Sequence, residues 1–344
     1  MPLLIPAIIS NASRPNHSFV VLESSIAQSC LPLLRAIIKQ QDANKRVLLF
    51  NFLYPPSYLV DEPAREGLQI VEGRIPGYSD DWTDPHELIL NAVNQAPEGP
   101  LNVIIDSADT LCTDLNSPSK AYALVASVLA LVRSRPSSRL ILHILSPSPL
   151  LPLLLLPRLS SNLTHLIAHP PVLLTHLTTA HLTPPPPLTP PARFFRVFSP
   201  LTARAWEVEH LVFGSGGDGA GGDDAVVEVL VRVPPAGEKR RGVERVLEGW
   251  AAARGACALG ELESLKKLWV RKVVDEAAPD PTQNLSFNLN LTPEQQQARA
   301  QVPLPYVHEG KTPGVPPTST AAIFYDPDSA DDIDDDDPDE DLDI

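Results

Sequence analysis

Asp106 ends the mostly aliphatic run LNVIID, and its type and position make it the first residue to test for chemistry. Leu101 to Ile105 suits a strand buried on both faces, as in a parallel sheet. In nucleotide-binding α/β proteins, an acid at the carboxyl end of such a strand often holds Mg²⁺, directly or through water. Ser107 and Asp109 follow closely. Two readings stand for Asp106: a metal-holding acid, or an acid that ends a strand and caps the turn or helix behind it.

Mg²⁺-nucleotide chemistry also needs a phosphate cradle. A P-loop supplies it as GxxxxGK[ST] between a strand and a helix, with backbone amides wrapping the phosphates and a lysine neutralising them. Here the first strand-to-helix junction runs from Glu23 through Ser24, Ser25, Ile26, Ala27, Gln28 and Ser29 to Cys30. It has no glycine and no lysine, and it puts an acid where phosphate would approach. The sequence therefore argues against an active P-loop ATPase.

Other motifs are weaker. Gly214, Gly216 and Gly219 satisfy GxGxxG, but a dinucleotide fingerprint must open a helix. This one precedes the strand-like AVVEVLVRV, so a flexible hairpin loop is the expectation. His165 with His169, and His176 with His181, have no third ligand in an HExxH-like pattern. They are expected at the surface or at helix ends. No GxSxG elbow or kinase signature is present. Lys239, Arg240, Arg241, Arg245, Lys266, Lys267, Arg271 and Lys272 form a basic cluster. It is expected to be a solvated helix face, with nucleic-acid backbone contact or docking of the acidic tail as sharper alternatives.

Alternating elements must position these residues. Ser18 to Glu23, Arg46 to Tyr54, Leu68 to Glu72, Leu101 to Ile105 and Arg139 to Leu145 read as strands. Helices are expected over Ser24 to Lys39, Pro85 to Gln95 and about Lys120 to Arg133, with Pro32 implying a late start or a bend in the first. This alternation indicates parallel βαβ units. Leu163 to Ala168 continues the strands, and Thr183 to Pro191 reads as an extended proline connection. Arg193 to Phe198, Ala205 to Phe213 and Ala225 to Val233 are expected as strands of an antiparallel extension, and Arg241 to Arg254 as a helix. Leu262 to Val274 is apolar on one side and basic on the other.

The 344 residues suffice for one large domain or two modest ones. Formal net charge is −15, but residues 326–344 carry 12 acids and no base, leaving 30 acids against 27 bases elsewhere. Acidity thus belongs to the tail. The three cysteines, Cys30, Cys112 and Cys257, lie far apart without a CxxC pair and suit buried free thiols in a reducing compartment. The apolar N-terminus has no early basic residue and is not read as a signal peptide. The run from Leu150 to Leu159 is short and broken by Pro152, Pro157 and Arg158, so no membrane span is expected.

Beyond Asp275 the chain is proline-rich, polar and finally acidic, a composition expected to stay mostly disordered when free. One stretch differs. Leu285, Phe287, Leu289 and Leu291 alternate with polar residues, the period of an edge strand or strand-addition peptide. Thr292 then caps a short helical stretch opening with Pro293 and Glu294. Such a segment suits a docking peptide; a strand returning to its own sheet is the alternative.

SFNLNLTPEQQQARAQVPLPY and IFYDPDSADDIDDDDPDEDLDI, with LESSIAQSCLPLLRAIIK, GVERVLEGW and ELESLKKLW, carry a resemblance to the family of Elongator subunit five. It is loose between Pro147 and Pro191 and through the glycine loop. The resemblance implies an α/β fold, RecA-like, without a working P-loop; joined to the residue reading, it gives a mostly parallel sheet, an antiparallel extension and a disordered acidic C-terminal tail as the expectation. The expected divisions are an N-terminal extension over 1–17, a RecA-like domain over 18–275 and a tail over 276–344. The domain contains the proline-rich loop 183–191 and the glycine-rich loop 214–222; the tail contains the docking segment 284–306 and the acidic run 326–344. The resemblance further implies a non-catalytic member of a hetero-hexameric ring with subunits four and six, two copies of each, beside the Elongator core. That ring binds tRNA in support of carboxymethyl-type modification at position five of wobble uridine, in cytoplasm and nucleus. No catalytic residue, cofactor, metal or membrane follows from it. The candidate docking residues are Phe287, Leu289, Leu291, Pro303, Leu304, Tyr306 and Tyr325, with Asp334, Asp335, Asp336 and Asp337 in the acidic run. Two rival readings remain: an NTPase with an atypical phosphate loop, and an acidic-tailed, chaperone-like binding protein.

Overall fold

The computed structural model describes residues 3–11, 17–40, 45–61, 66–73, 84–215, 217, 224–233, 242–269 and 293–301. The first compact unit, Met1–Lys272, holds a nine-stranded sheet; the second is Val273–Ile344.

Strands β1 (Phe19–Ser24), β2 (Arg46–Asn51), β3 (Leu68–Glu72), β4 (Leu101–Ile105), β5 (Arg139–Leu145) and β6 (Leu163–His169) run parallel in the order β3-β2-β4-β5-β1-β6. The first strand lies inside the sheet, and the second is separated from it by β4 and β5. A mostly parallel α/β sheet is the architecture expected. Every residue of β4 is buried, Asn102 included, as its mostly aliphatic run led one to expect.

Along β1, Phe19 and Val21 face one layer and Val20 and Leu22 the other, the alternation a pleated strand imposes. The first layer contains helices α4 (Pro85–Gln95), α5 (Ala108–Asp114) and α6 (Pro118–Arg133). The opposite layer contains α1 (Leu4–Ser10), α2 (Leu31–Lys39) and the turn-length α3 (Pro56–Leu59). Helix starts follow local chemistry. Asp84, Ser107 and Ser117 accept backbone N–H bonds from His86, Thr110 and Lys120, and Pro85 and Pro118 occupy first-turn positions. Helix α2 starts late, with Pro32 in its first turn. Within the expected N-terminal extension, α1 is packed into the core.

A further layer corrects the reading of the second half. Arg193 to Phe198 and Ala205 to Phe213 were expected as strands, but they lie in helices α9 (Pro191–Thr202) and α10 (Ala205–Phe213). Phe194, Phe198 and Leu201 are buried at helical spacing in α9, and Val208 and Val212 in α10. A six-residue aromatic-rich run has too few apolar positions to separate period two from period 3.6. These helices pack with α8 (Val172–Ala180) against one face of the antiparallel extension. A short α7 (Leu151–Leu154) follows β5.

The extension exists, though its strands differ from those expected. β7 (Asp224–Val233) pairs antiparallel with β6, and β8 (Gly242–Ala251) pairs with β7 over all ten residues. Arg241 to Arg254 was expected as a helix; its described part is this strand and the turn that follows it, which leads into the short β9 (Gly255–Cys257). A ten-residue β7 needs a partner along its open edge, and pairing outweighs the helix propensity of the Glu, Leu and Ala residues in the second strand. The short α11 (Lys266–Trp269) is the helical part of Leu262 to Val274 among the described residues.

In the second unit, α12 (Pro293–Gln301) opens with Pro293 and Glu294, as read from sequence. The other features expected of the tail lie outside the described residues. These include the strand-like alternation, the acidic run and all the docking candidates from Phe287 to Tyr325. No helix among the described residues is long and apolar enough to cross a membrane.

Candidate functional site

In an open α/β sheet, ligands bind beyond the carboxyl ends of the strands. Here that edge is formed by the ends of β2, β4, β5, β1 and β6, and many of its polar groups bond to one another.

Asp106 directly follows β4 and is 0% exposed. Its carboxylate accepts three backbone N–H bonds: from Phe52 at 2.7 Å, Leu53 at 3.0 Å and Tyr54 at 2.8 Å. The acid thus ties down the turn between β2 and α3, where Asn51 Nδ2 also donates to the Tyr54 carbonyl. Burial pushes the Asp106 carboxyl above its usual range, against the pull of the three amides and His143. Neighbouring Tyr54 is also raised, by burial and then by the Asp106 charge. Both acceptor oxygens are committed to backbone. Of the two readings of Asp106, the one that ends a strand and fixes a turn describes its contacts.

The junction after β1 folds on itself. Ser25 and Gln28 exchange backbone bonds, N–H to carbonyl, at 2.9 and 3.3 Å. Cys30 N–H donates to Ser24 Oγ at 2.8 Å, and Cys30 Sγ lies 3.1 Å from the Glu23 carbonyl. Burial raises the thiol beyond any physiological titration. In a P-loop such amides would face a phosphate; several here bond within the loop.

One pair in this edge escaped the sequence reading. His143 Nε2 lies 2.7 Å from Ser24 Oγ, and its Nδ1 lies 2.7 Å from the Asp106 carbonyl. A carbonyl can only accept, so Nδ1 carries the proton and Nε2 accepts from the serine hydroxyl. Burial holds His143 below its ordinary pKa, in keeping with a neutral ring. The chain runs from the Cys30 amide through Ser24 and His143 to Asp106. It has the outline of a nucleophile and its base, but Ser24 is 3% exposed and the third partner is a carbonyl. Its visible effect is to bind β1, β5 and β4 together at their carboxyl ends. The signal in sequence was a histidine inside an aliphatic strand, RLILHIL, with nothing to identify its partner 119 positions away.

The remaining candidates separate. His165 and His169 were expected at the surface or at helix ends, and both are buried on β6. An interior strand places its side chains in packed layers. His165 Nε2 lies 2.8 Å from Glu23 Oε2, and His169 Nε2 lies 3.1 Å from Glu228 Oε2. His176 on α8 and His181 at its C-terminal cap stack edge to face at 5.5 Å. Among the described residues, no group of three or more His, Cys, Asp or Glu could hold a metal ion. All three cysteines are buried and free.

Gly214 ends α10, so its loop joins helix to strand and is not a hairpin. A Cβ there would stand 2.3 Å from the His210 carbonyl oxygen, a close approach that requires glycine. Gly216 and Gly219 lie outside the described residues. Arg245, expected on a helix face, is on β8 and pairs with buried Glu228 at 2.5 Å. Of the rest of the cluster, Lys266 and Lys267 are described and exposed on α11.

Against these internal bonds, the carboxyl edge shows apolar side chains to solvent. Ile26 after β1 is 57% exposed, Leu53 after β2 is 54% and Leu145 at the end of β5 is 44%.

Comparison with known proteins adds a separate line. Residues 251–326 match the family described as Elongator subunit Iki1. The chain is 45% identical to Elongator complex protein 5 of Danio rerio over 78 residues, covering 22% of this chain and 26% of the relative. It is 43% identical to the Mus musculus protein and 41% to the Homo sapiens protein, each over 70 residues, covering 19% of this chain and 23% of the relative. The chain thus spans about a quarter of the length of the curated relatives it matches. Among solved structures, it is similar to a KaiC-like protein from Pyrococcus horikoshii OT3, at 11% identity and a TM-score of 0.36, covering 70% of this chain and 88% of that one. The family match takes in the docking segment read from sequence and ends at the start of the acidic run. Residues 251–326 carry the chain's resemblance to the Elongator complex protein 5 family.

Proposed function

We propose that the chain is a non-catalytic RecA-like subunit of the Elongator accessory ring, assembling with subunits four and six. In this reading it supports wobble-uridine modification of tRNA, which the assembled ring binds, and works with the Elongator core in cytoplasm and nucleus. The match of residues 251–326 to Elongator subunit Iki1 carries the reading. The carboxyl edge supports its non-catalytic part: the Asp106 carboxylate is engaged by the backbone at 52–54, and the Glu23–Cys30 junction bonds internally. Exposed Ile26, Leu53 and Leu145 suit a face used for assembly.

Co-expression of the full chain with subunits four and six tests the reading. Capture through this chain is expected to recover both partners, and deletion of residues 284–344 is expected to reduce recovery without lowering the unfolding midpoint. Unchanged recovery by the truncated chain removes the docking role of the tail; no recovery by the full chain removes the ring. A thermal upshift of the isolated full chain with ATP would favour an atypical NTPase instead.

A further inference from the structure

Helix α1 has seven residues, and a helix that short has no stability of its own in water. It exists here because both ends and one face are held by distant parts of the chain. At its N-terminus, the amides of Leu4 and Ile5 donate to Glu248 Oε1 and Oε2 at 2.5 and 2.9 Å. At its C-terminus, Arg139 donates through Nη1 and Nη2 to the carbonyls of Ile8 and Ile9 at 2.7 and 2.9 Å. These are backbone groups that a helix leaves unsatisfied at its ends. The charges also match the helix dipole, acid at the amino end and base at the carboxyl end.

The location of the two gripping residues gives the contact a mechanical meaning. Arg139 opens β5, in the parallel part of the sheet, and Glu248 lies on β8, in the antiparallel part. The strand order places β1, β6 and β7 between them. The change from parallel to antiparallel pairing falls at β6–β7. Ile5, Ile8 and Ile9, all buried, belong to one apolar cluster with Val20 and Leu22 of β1, Val229 and Val231 of β7 and Trp250 of β8. The helix therefore spans the junction between the two halves of the sheet. Glu248 is 5% and Arg139 2% exposed, so undocking either end takes hydrogen bonds away from a buried ionisable side chain.

We propose that α1 is a strap that docks as one unit and, once docked, locks the antiparallel strands β7 and β8 to the parallel strands β1 and β5. Its grip is on backbone atoms at both ends, so losing one end releases the other. The extension is rigid with the strap in place and loosens as a block when it leaves, while β2 and β4, on the other side of β5, keep their own pairing.

Hydrogen exchange of the full chain, read by mass spectrometry, tests this with Glu248→Ala and Ile8→Asp, which attack the strap from its partner and from itself. Both variants are expected to raise exchange of α1, β7 and β8 amides together by about tenfold or more, with β2 and β4 at wild-type rates. Faster exchange confined to α1 overturns the proposal, because the helix is then a passive cover. Uniform acceleration through all strands also overturns it, because α1 is then ordinary core. Should Glu248→Ala not fold, Glu248→Gln keeps the shape and one acceptor, and the same pattern is expected at about threefold; wild-type rates in β7 and β8 there sink the strap.

Discussion

Two buried carboxylates solve the same problem in opposite ways. Asp106, at the carboxyl edge of the parallel strands, is surrounded by neutral donors: the amides of Phe52, Leu53 and Tyr54. Glu228, on β7 of the antiparallel extension, is met by charged or chargeable side chains. Arg245 Nε lies 2.5 Å from Oε1, and His169 Nε2 lies 3.1 Å from Oε2. Burial pushes both acids up. At Asp106 burial wins and the carboxyl ends above its ordinary value. At Glu228 the bonds and charges from His169 and Arg245 win, and the carboxyl ends below. The difference follows from what each acid organises. Asp106 shapes a turn, and only backbone is needed for that. Glu228 joins β7 to β6 and β8 and also to α9, because Arg245 stacks on Phe195 at 4.1 Å and donates to Ser199 Oγ.

The comparison can be broken at either acid. Glu228→Ala leaves Arg245 without its carboxylate in a half-buried site and should cost about 3–5 kcal/mol, read from urea unfolding of the full chain. A cost under about 1 kcal/mol would mean that solvent takes over the arginine and that the network contributes little. Asp106→Ala should cost less, about 2–3 kcal/mol, since the three freed amides sit in a turn that water can reach in part. Equal costs for the two variants would mean that neutral amides and charged side chains hold the two acids equally well.

The smallest effect is in pH. Glu228 is held below its ordinary value of 4.5, so its stabilisation is complete above that pH and is lost as the pH falls through the folded value. Asp106 is raised above its ordinary value of 3.8, so its folded form binds the proton more tightly; its contribution is fully present below 3.8 and is lost as the pH rises through the folded value. Unfolding curves for wild type, Glu228→Gln and Asp106→Asn through the acid range should therefore diverge in opposite senses, by about 1 kcal/mol across the series. Parallel curves for the two variants would show that the acids share one electrostatic regime.

Much of the parallel half was legible. β1, β2, β4 and β5 are mostly aliphatic runs bounded by turn or helix signals, and a run buried on both faces declares itself without reference to neighbours. The late start of α2 could be read from Pro32, and the start of α12 from Pro293 and Glu294. The second half was harder. RFFRVF and AWEVEHLVF are too short for their own period to decide, and they became helices because the extension offers them an apolar face. GVERVLEGWA became a strand because β7 was there to pair with it. The carboxyl edge divides in the same way. Sequence placed Asp106 at a strand end and found no phosphate loop across from it; it could not show that residues 52–54 would claim the carboxylate.

The sequence by itself determined the βαβ alternation, the absence of P-loop residues after the first strand, and the family segment within 251–326. All are local patterns, readable because backbone sterics, side-chain period and residue chemistry act over a few neighbours. Only the tertiary structure decided the partners of Asp106, His143, Glu228 and Arg139, and the fate of α9, α10 and β8. Glu248 reaches Leu4 across 244 positions, and Arg139 reaches Ile8 across 131. The energy of such contacts comes from desolvating both groups at one place, and no residue carries that place in its own neighbourhood.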